Sequence, residues 1–278
     1  GARKLSSALK TSPSLPRWRL PNLDDPEIQE ALALTQPELI VSSFYPRRIP
    51  EAVLKLAPGV NVHPSALPKW RGPDPAFWVI YHREDKTAIT IHRLSPALDE
   101  GHILMAETID VRRRESGGAL AVRLERRAAS FMVSYVIDSA QLHRSDPQKW
   151  RDHLQGEPQE GESSWAPLVD PDELEIDWSM TATQVEAFVR AAAPEPCAYS
   201  GLGHELMVIH HGRVGVFDRP LQSAEDQVIP VGQAFLDEGR CFIRCGEGFY
   251  QLDDVSIGRR RLRGERLAAL LGATIAPR

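Results

Sequence analysis

Apolar positions near the front of the chain switch between two rhythms. Ile28, Ala31, Leu32 and Leu34 recur at helical spacing behind Asp24-Asp25-Pro26, an acidic cap with proline in the first turn, and Pro37 ends the run. Residues 38–44 (ELIVSSF) are short, apolar and rich in β-formers, as a buried strand is. A second helix starts at Pro50, runs through Leu56 and stops at Pro58-Gly59, and residues 60–63 read as the next strand. This strand–helix–strand alternation predicts a parallel α/β sheet. Residues 73–82 read as a helix with Phe77, Trp78, Ile80 and Tyr81 inward, and 87–94 and 102–111 as strands. The connection 95–101 holds Pro96 and Gly101 and must be a loop. A long helical period follows over 117–143, carried by Leu120, Val122, Leu124, Ala128, Phe131, Val133 and Ile137.

Residues 144–167 break the pattern. Asp146-Pro147, Gly156-Glu157-Pro158 and Gly161-Glu162-Ser163-Ser164 are polar and rich in breakers, which reads as an interdomain linker. Beyond it come a helix over about 181–193 and alternating strands over 205–210, 213–217, 240–244 and 249–252, with a last helix near 264–271. Short strands separated by glycine turns predict a small β-barrel. The expected division is a first domain over 1–145, a linker over 146–165 and a second domain over 166–278. Residues 1–21 read as a loose lead-in, and there are no internal repeats.

Composition narrows the class. Of 278 residues, 42% are hydrophobic and 26% charged, ordinary for a globular protein, and no apolar run approaches a membrane span. The net charge of −5 argues against broad contact with nucleic acid. Cys197, Cys241 and Cys245 are an odd number without metal spacing, so they read as buried thiols of a cytoplasmic protein rather than a disulfide framework or a zinc site. No metal is expected.

The candidate chemistry sits in Asn61-Val62-His63-Pro64-Ser65-Ala66-Leu67-Pro68-Lys69-Trp70-Arg71-Gly72. Asn61 and His63 are two apart on a strand and therefore share a face. The carboxyl ends of parallel strands are where α/β proteins build sites. Asp99 stands in a second loop beside strands of the same sheet. This trio suits acyl transfer to an amine. An amide N–H and an imidazole N–H stabilise the oxyanion of a tetrahedral intermediate, and imidazole with a carboxylate moves the proton that the amine loses. Gly-x-Ser-x-Gly is absent, so serine hydrolase chemistry has no support. An Asn-x-His pair alone caps loops more often than it catalyses.

The same segment resembles the folate-dependent formyltransferase family, which includes methionyl-tRNA, amino-sugar and glycinamide ribonucleotide formyltransferases. That family's pattern is Asn-x-His-x-Ser-x-Leu-Pro, then a basic residue, an aromatic residue and Arg-Gly. Leu98-Asp99-Glu100-Gly101-His102-Ile103-Leu104 is similar to its Leu-Asp-x-Gly-x-Ile/Leu loop, and Phe44-Tyr45-Pro46-Arg47-Arg48-Ile49-Pro50 to the loop bordering its folate pocket. Ile176-Asp177-Trp178-Ser179 through Pro194-Glu195-Pro196-Cys197-Ala198-Tyr199 resembles the start of its C-terminal domain. Together these span roughly residues 15–270. The resemblance implies a Rossmann-like domain with a mostly parallel sheet, a small OB-like β-barrel, and formyl transfer from 10-formyltetrahydrofolate. Asn61 and His63 would polarise the formyl carbonyl and Asp99 would organise His63 and a water. Ile49 would line the pterin pocket, and Ala97, Leu98, Glu100 and Gly101 would meet the pterin through their backbone. Ser65 would be a structural hydrogen-bonder, and Arg71 would shape the entrance.

The front of the chain departs from that pattern. A βαβ unit takes ~30 residues, yet only about 37 residues precede the strand at Glu38, most of them loop-like. The family's first strand and its turn, which commonly helps hold the acceptor, are therefore expected to be missing, by trimming or in a degenerate paralogue. For the acceptor, Pro73-Asp74-Pro75 after Arg-Gly, Ala88 and Thr90-Ile91-His92-Arg93-Leu94 favour a small amine such as an amino sugar. The alternative is methionyl-tRNA, for which Arg259, Arg260, Arg261 and Arg263 would offer phosphate contacts. A non-catalytic folate-binding paralogue is the third reading.

Overall fold

The computed structural model describes residues 22–45, 47–202, 204–216 and 229–275. The expected lead-in, Pro46 and the end of the strand at Phe217 lie outside the described residues. The chain divides into two compact units. The first takes residues 1–75, 86–111 and 121–167, and the second takes 76–85, 112–120 and 168–278.

In the first unit, α1 (Pro26–Leu34) starts at Asp25, whose carboxylate accepts from the Glu27 N–H. It leads into β1 (Ile40–Ser43), the short α2 (Glu51–Leu54) and β2 (Gly59–His63). Then come α3 (Pro75–Tyr81), whose residues from Ala76 on are counted in the second unit, β3 (Lys86–Arg93), β4 (Ile103–Asp110), the long α4 (Gly117–Ser145), counted in the first unit from Ala121 on, and α5 (Pro147–His153). The sheet order is β1-β2-β3-β4. Val60, Val62, Ile89 and Ile91 are buried on the central strands, and Leu124, Ala128, Met132 and Tyr135 on α4. Spacings of four, four and three residues make that buried stripe. Val122, Val133 and Ile137, which also carry the apolar period, are 39%, 59% and 52% exposed, because they fall off the stripe.

The sheet corrects the expectation of mostly parallel strands. Only β1 and β2 run parallel; β2/β3 and β3/β4 are antiparallel, so the sheet is mixed among the described residues. A parallel partner needs a crossover of a dozen residues or so, and the loop 95–101 is too short for one. The strand–helix–strand alternation over 38–63 does not continue into β3 and β4.

The second unit carries α6 (Ala182–Ala192), β5 (Ala198–Leu202), β6 (Glu205–Val214), β7 (Ala234–Asp237), β8 (Arg240–Arg244), β9 (Phe249–Ile257), β10 (Arg260–Arg263) and α7 (Gly264–Ile275). Thr181 and Gln184 close a reciprocal cap at the start of α6. The sheet is antiparallel, in the order β5-β6-β9-β8-β7, with β10 also on β9. Its end strands β5 and β7 do not pair, so the sheet is not closed and the expected OB-like barrel is not seen among the described residues. Strand spacing sets the number of strands but not the tilt and stagger that closure requires. The strands expected at 205–210 and 213–217 are one strand, with register shifts at His211 and Gly212 instead of a turn. Cys197, Cys241 and Cys245 are buried free thiols. No helix among the described residues is long and apolar enough to cross a membrane.

Candidate active site

Asn61 and His63 stand on β2, where cross-strand register sets Asn61 opposite His92 and His63 opposite Thr90. The loop carrying Asp99 leaves β3 at Leu94, whose N–H bonds the Gly59 carbonyl, and folds back towards these side chains. The Asp99 carboxylate lies 3.5 Å from His63 Nδ1 and 3.5 Å from His92 Nε2, and accepts the Gly72 N–H at 2.9 Å. Asn61 Nδ2 is 3.1 Å from His92 Nε2. The structure thus brings Asn61, His63 and Asp99 together, with His92 between Asn61 and Asp99. His92 escaped the sequence reading as a site residue because one histidine in an alternating strand looks like core. Its position opposite Asn61 is the signal, and only the strand register reveals it.

His63 is 5% exposed. Its Nε2 is 2.8 Å from the Trp70 carbonyl, so Nε2–H donates and Nδ1 is the nitrogen left facing Asp99. Burial lowers its pKa, against the opposing pull of Asp99 and the Trp70 carbonyl, and with the help of His92. Burial works to raise the Asp99 pKa, but hydrogen bonding from His92, the charge of His63 and the Gly72 N–H outweigh it and hold the carboxyl low. Asp99 is therefore anionic and His63 neutral near pH 7. A proton arriving at Nδ1 meets a carboxylate that stabilises it.

Two glycines make this geometry reachable. Gly72 sits at φ +109°, where a side chain would be strained. A Cβ on Gly101 would lie 1.8 Å from the Arg93 carbonyl oxygen. Ser65 Oγ donates to the Lys69 carbonyl and its own carbonyl accepts from Thr90, so it fastens the loop after β2. Arg71 directs its guanidinium to Gln159 and to Glu100, 3.1 Å away. Ile49, Ala97 and Leu98 line a cavity of about 50 Å³ together with Tyr45, Asn61, His92 and Asp99. Both Nε and Nη2 of Arg48 donate to the Pro96 carbonyl, which holds the loop over that cavity. The Ala97 carbonyl accepts from Ser95, and those of Asp99 and Gly101 accept from Gln159.

The arginine run behaves differently from a free patch. Arg261 and Arg263 both bond Asp254 and hold its carboxyl down at about 2, while Arg259 and Arg260 are exposed. No group of three His, Cys, Asp or Glu residues among the described ones could hold a metal ion.

Comparison with known proteins gives this geometry a context. The family described as formyl transferase matches residues 6–136, and the family described as formyl transferase, C-terminal domain, matches residues 168–270. A methionyl-tRNA formyltransferase of Syntrophus aciditrophicus is 30% identical over 267 residues, covering 93% of this chain and 80% of the relative. The fold is similar to that of a Mycobacterium tuberculosis protein described as a candidate sugar N-formyltransferase (TM-score 0.56, 20% identity, 79% of this chain and 93% of that one). It is also similar to HypX of Aquifex aeolicus in complex with tetrahydrofolic acid (TM-score 0.53, 20% identity, 91% of this chain but only 42% of HypX). The sequence likeness runs through both units and covers four-fifths of a named relative. On that footing the chain belongs to the folate-dependent formyltransferase family.

Proposed function

We propose that the protein transfers the formyl group of 10-formyltetrahydrofolate to a primary amine, with Asn61, His63 and Asp99 as its chemical residues and His92 beside them. The observation that carries this reading is the contact of one low-pKa carboxylate with two histidines on a face that also holds Asn61. The Asn61 amide donates to the oxyanion as the amine attacks. Neutral His63 takes a proton at Nδ1, either directly or through a water, and Asp99 stabilises the imidazolium that forms. The proton then returns to the leaving nitrogen of tetrahydrofolate, and the formamide is released.

The chemistry of the lining suits a pterin: Ile49, Leu94, Ala97 and Leu98 give apolar walls, and Asn61, His92 and Asp99 supply polar groups. A cavity of about 50 Å³ holds a water or two, so a pterin ring enters only if the cavity walls move. On this reading 1–145 is the catalytic region, 166–278 the C-terminal domain and 146–165 the stretch between them in sequence, although 146–165 fall in the first compact unit.

The acceptor is a small amine such as an amino sugar. Two of the four arginines that would grip tRNA phosphates are already committed to Asp254, and the net charge is −5. A second reading, methionyl-tRNA, is favoured by the 30% identity to an enzyme of that name across both units. Formyl-donor turnover measured with amino sugars and with charged methionyl-tRNA separates the two. Product only with the tRNA would replace the first reading by the second.

A further inference from the structure

Residues 156–166 lie in the segment whose composition reads as a linker, yet Gln159 makes four hydrogen bonds there. Its Oε1 accepts from Arg71 Nε at 3.1 Å and Nη2 at 2.7 Å. Its Nε2 donates to the carbonyls of Asp99 at 2.7 Å and Gly101 at 2.8 Å. The orientation of the amide is forced: guanidinium only donates and carbonyls only accept. Glu100, between the two gripped carbonyls, reaches Arg71 Nη1 at 3.1 Å and closes the ring of contacts.

The gripped backbone needs holding. Asp99 sits at φ +55°, a left-handed conformation that costs a non-glycine residue free energy. Its carboxylate meets His63 and His92 at 3.5 Å, so a small backbone rotation would separate them. The same segment fixes the other partner of His63. Ser164 Oγ accepts the Trp70 N–H, the Ser164 carbonyl accepts the Arg71 N–H, and the Ala166 N–H donates to the Arg71 carbonyl. The Trp70 carbonyl that receives His63 Nε2–H is thereby set from the same strap.

We propose that Gln159 is a positioning residue that aims the Asp99 carboxylate at His63 and His92 by holding the carbonyls on either side of Glu100. Its effect on turnover rests on the formyl-transfer reading; its effect on His63 does not. Among the described residues, three groups face His63: the Asp99 carboxylate, the His92 ring and the Trp70 carbonyl. Of these only the carboxylate carries negative charge. If it swings away, burial lowers the His63 pKa further.

The test uses Gln159→Met, which removes all four hydrogen bonds at similar volume, and Gln159→Glu, which keeps the acceptor for Arg71 but faces the two carbonyls with oxygen. In Gln159→Met, kcat should fall roughly 10–100-fold, the cost of a sub-ångström to ångström misplacement. The His63 Cε1–H resonance should titrate at lower pH than in the wild type, in the same direction as in Asp99→Asn. Adding Gln159→Met to Asp99→Asn should cost little more, because both act through one carboxylate. Gln159→Glu should lose kcat as Gln159→Met does, and it carries the kinetic test should Gln159→Met not fold. Unchanged kcat with an unchanged His63 titration overturns the proposal. So does a loss of kcat that adds in full to that of Asp99→Asn. A wild-type protein without formyl transfer overturns the functional reading instead, while the His63 titration still decides the role of Gln159.

Discussion

Replacing Asp99 with Asn keeps the shape of the side chain and an oxygen for the Gly72 N–H, but removes the charge. The imidazolium formed at His63 during proton transfer would sit 3.5 Å from the carboxylate. At an effective dielectric near 20, two unit charges at that separation attract by about 5 kcal/mol. Asp99 is 12% exposed, and water and the polar Asn offset part of this, so about half is lost in the transition state. About 2.5 kcal/mol corresponds to a fall in kcat of roughly 10²-fold. Binding of the folate should stay within about threefold of wild type, because apolar walls and loop backbone rather than this charge hold the ring. Steady-state turnover paired with equilibrium titration of tetrahydrofolate separates the two effects. A kcat within about threefold of wild type in a normally folded Asp99→Asn protein would refute the role given to this charge.

Three further outcomes follow from the same structure. Gly101→Ala forces a Cβ into the Arg93 carbonyl, so the loop must shift; a loss of about 1–3 kcal/mol in denaturant unfolding is expected, with activity falling further than stability. His63 has a folded pKa below its ordinary 6.5, so the unfolded chain binds the proton first and stability falls as pH drops below that value; in His63→Gln, urea midpoints between pH 7 and 5 should vary less than in the wild type. Hydrogen bonding from Arg261 above all, and then from Arg263, holds Asp254 at about 2 instead of 3.8, so this contribution is present above 3.8 and lost as pH falls through about 2. Because the arginines are more than half exposed, Asp254→Asn should cost only about 1 kcal/mol at pH 7, read in the same unfolding assay, and nothing near pH 2.

The sequence revealed what local pattern controls. Val60 and Val62 mark β2 as buried, and a spacing of two puts Asn61 and His63 on one face of it. What it concealed depends on pairing between distant segments. His92 becomes a site residue only through its register with Asn61. Gln159 lies in breaker-rich polar sequence, and its partners are 58 to 88 residues away. His211-Gly212 falls between the strands expected at 205–210 and 213–217, but Gly212 packs against the Tyr250 ring inside a continuous strand. Closure of the second sheet likewise depends on whether β5 meets β7, which no single strand encodes.

The central claim is formyl transfer to an amine, and the most direct measurement follows tetrahydrofolate release from 10-formyltetrahydrofolate against a panel of amino sugars, amino acid derivatives and charged tRNA. The account predicts turnover with at least one acceptor, one formamide formed for each tetrahydrofolate released, and a rate lowered about 10²-fold in Asp99→Asn. Saturable folate binding with no turnover on any acceptor would contradict it and leave a folate-binding protein that does not catalyse.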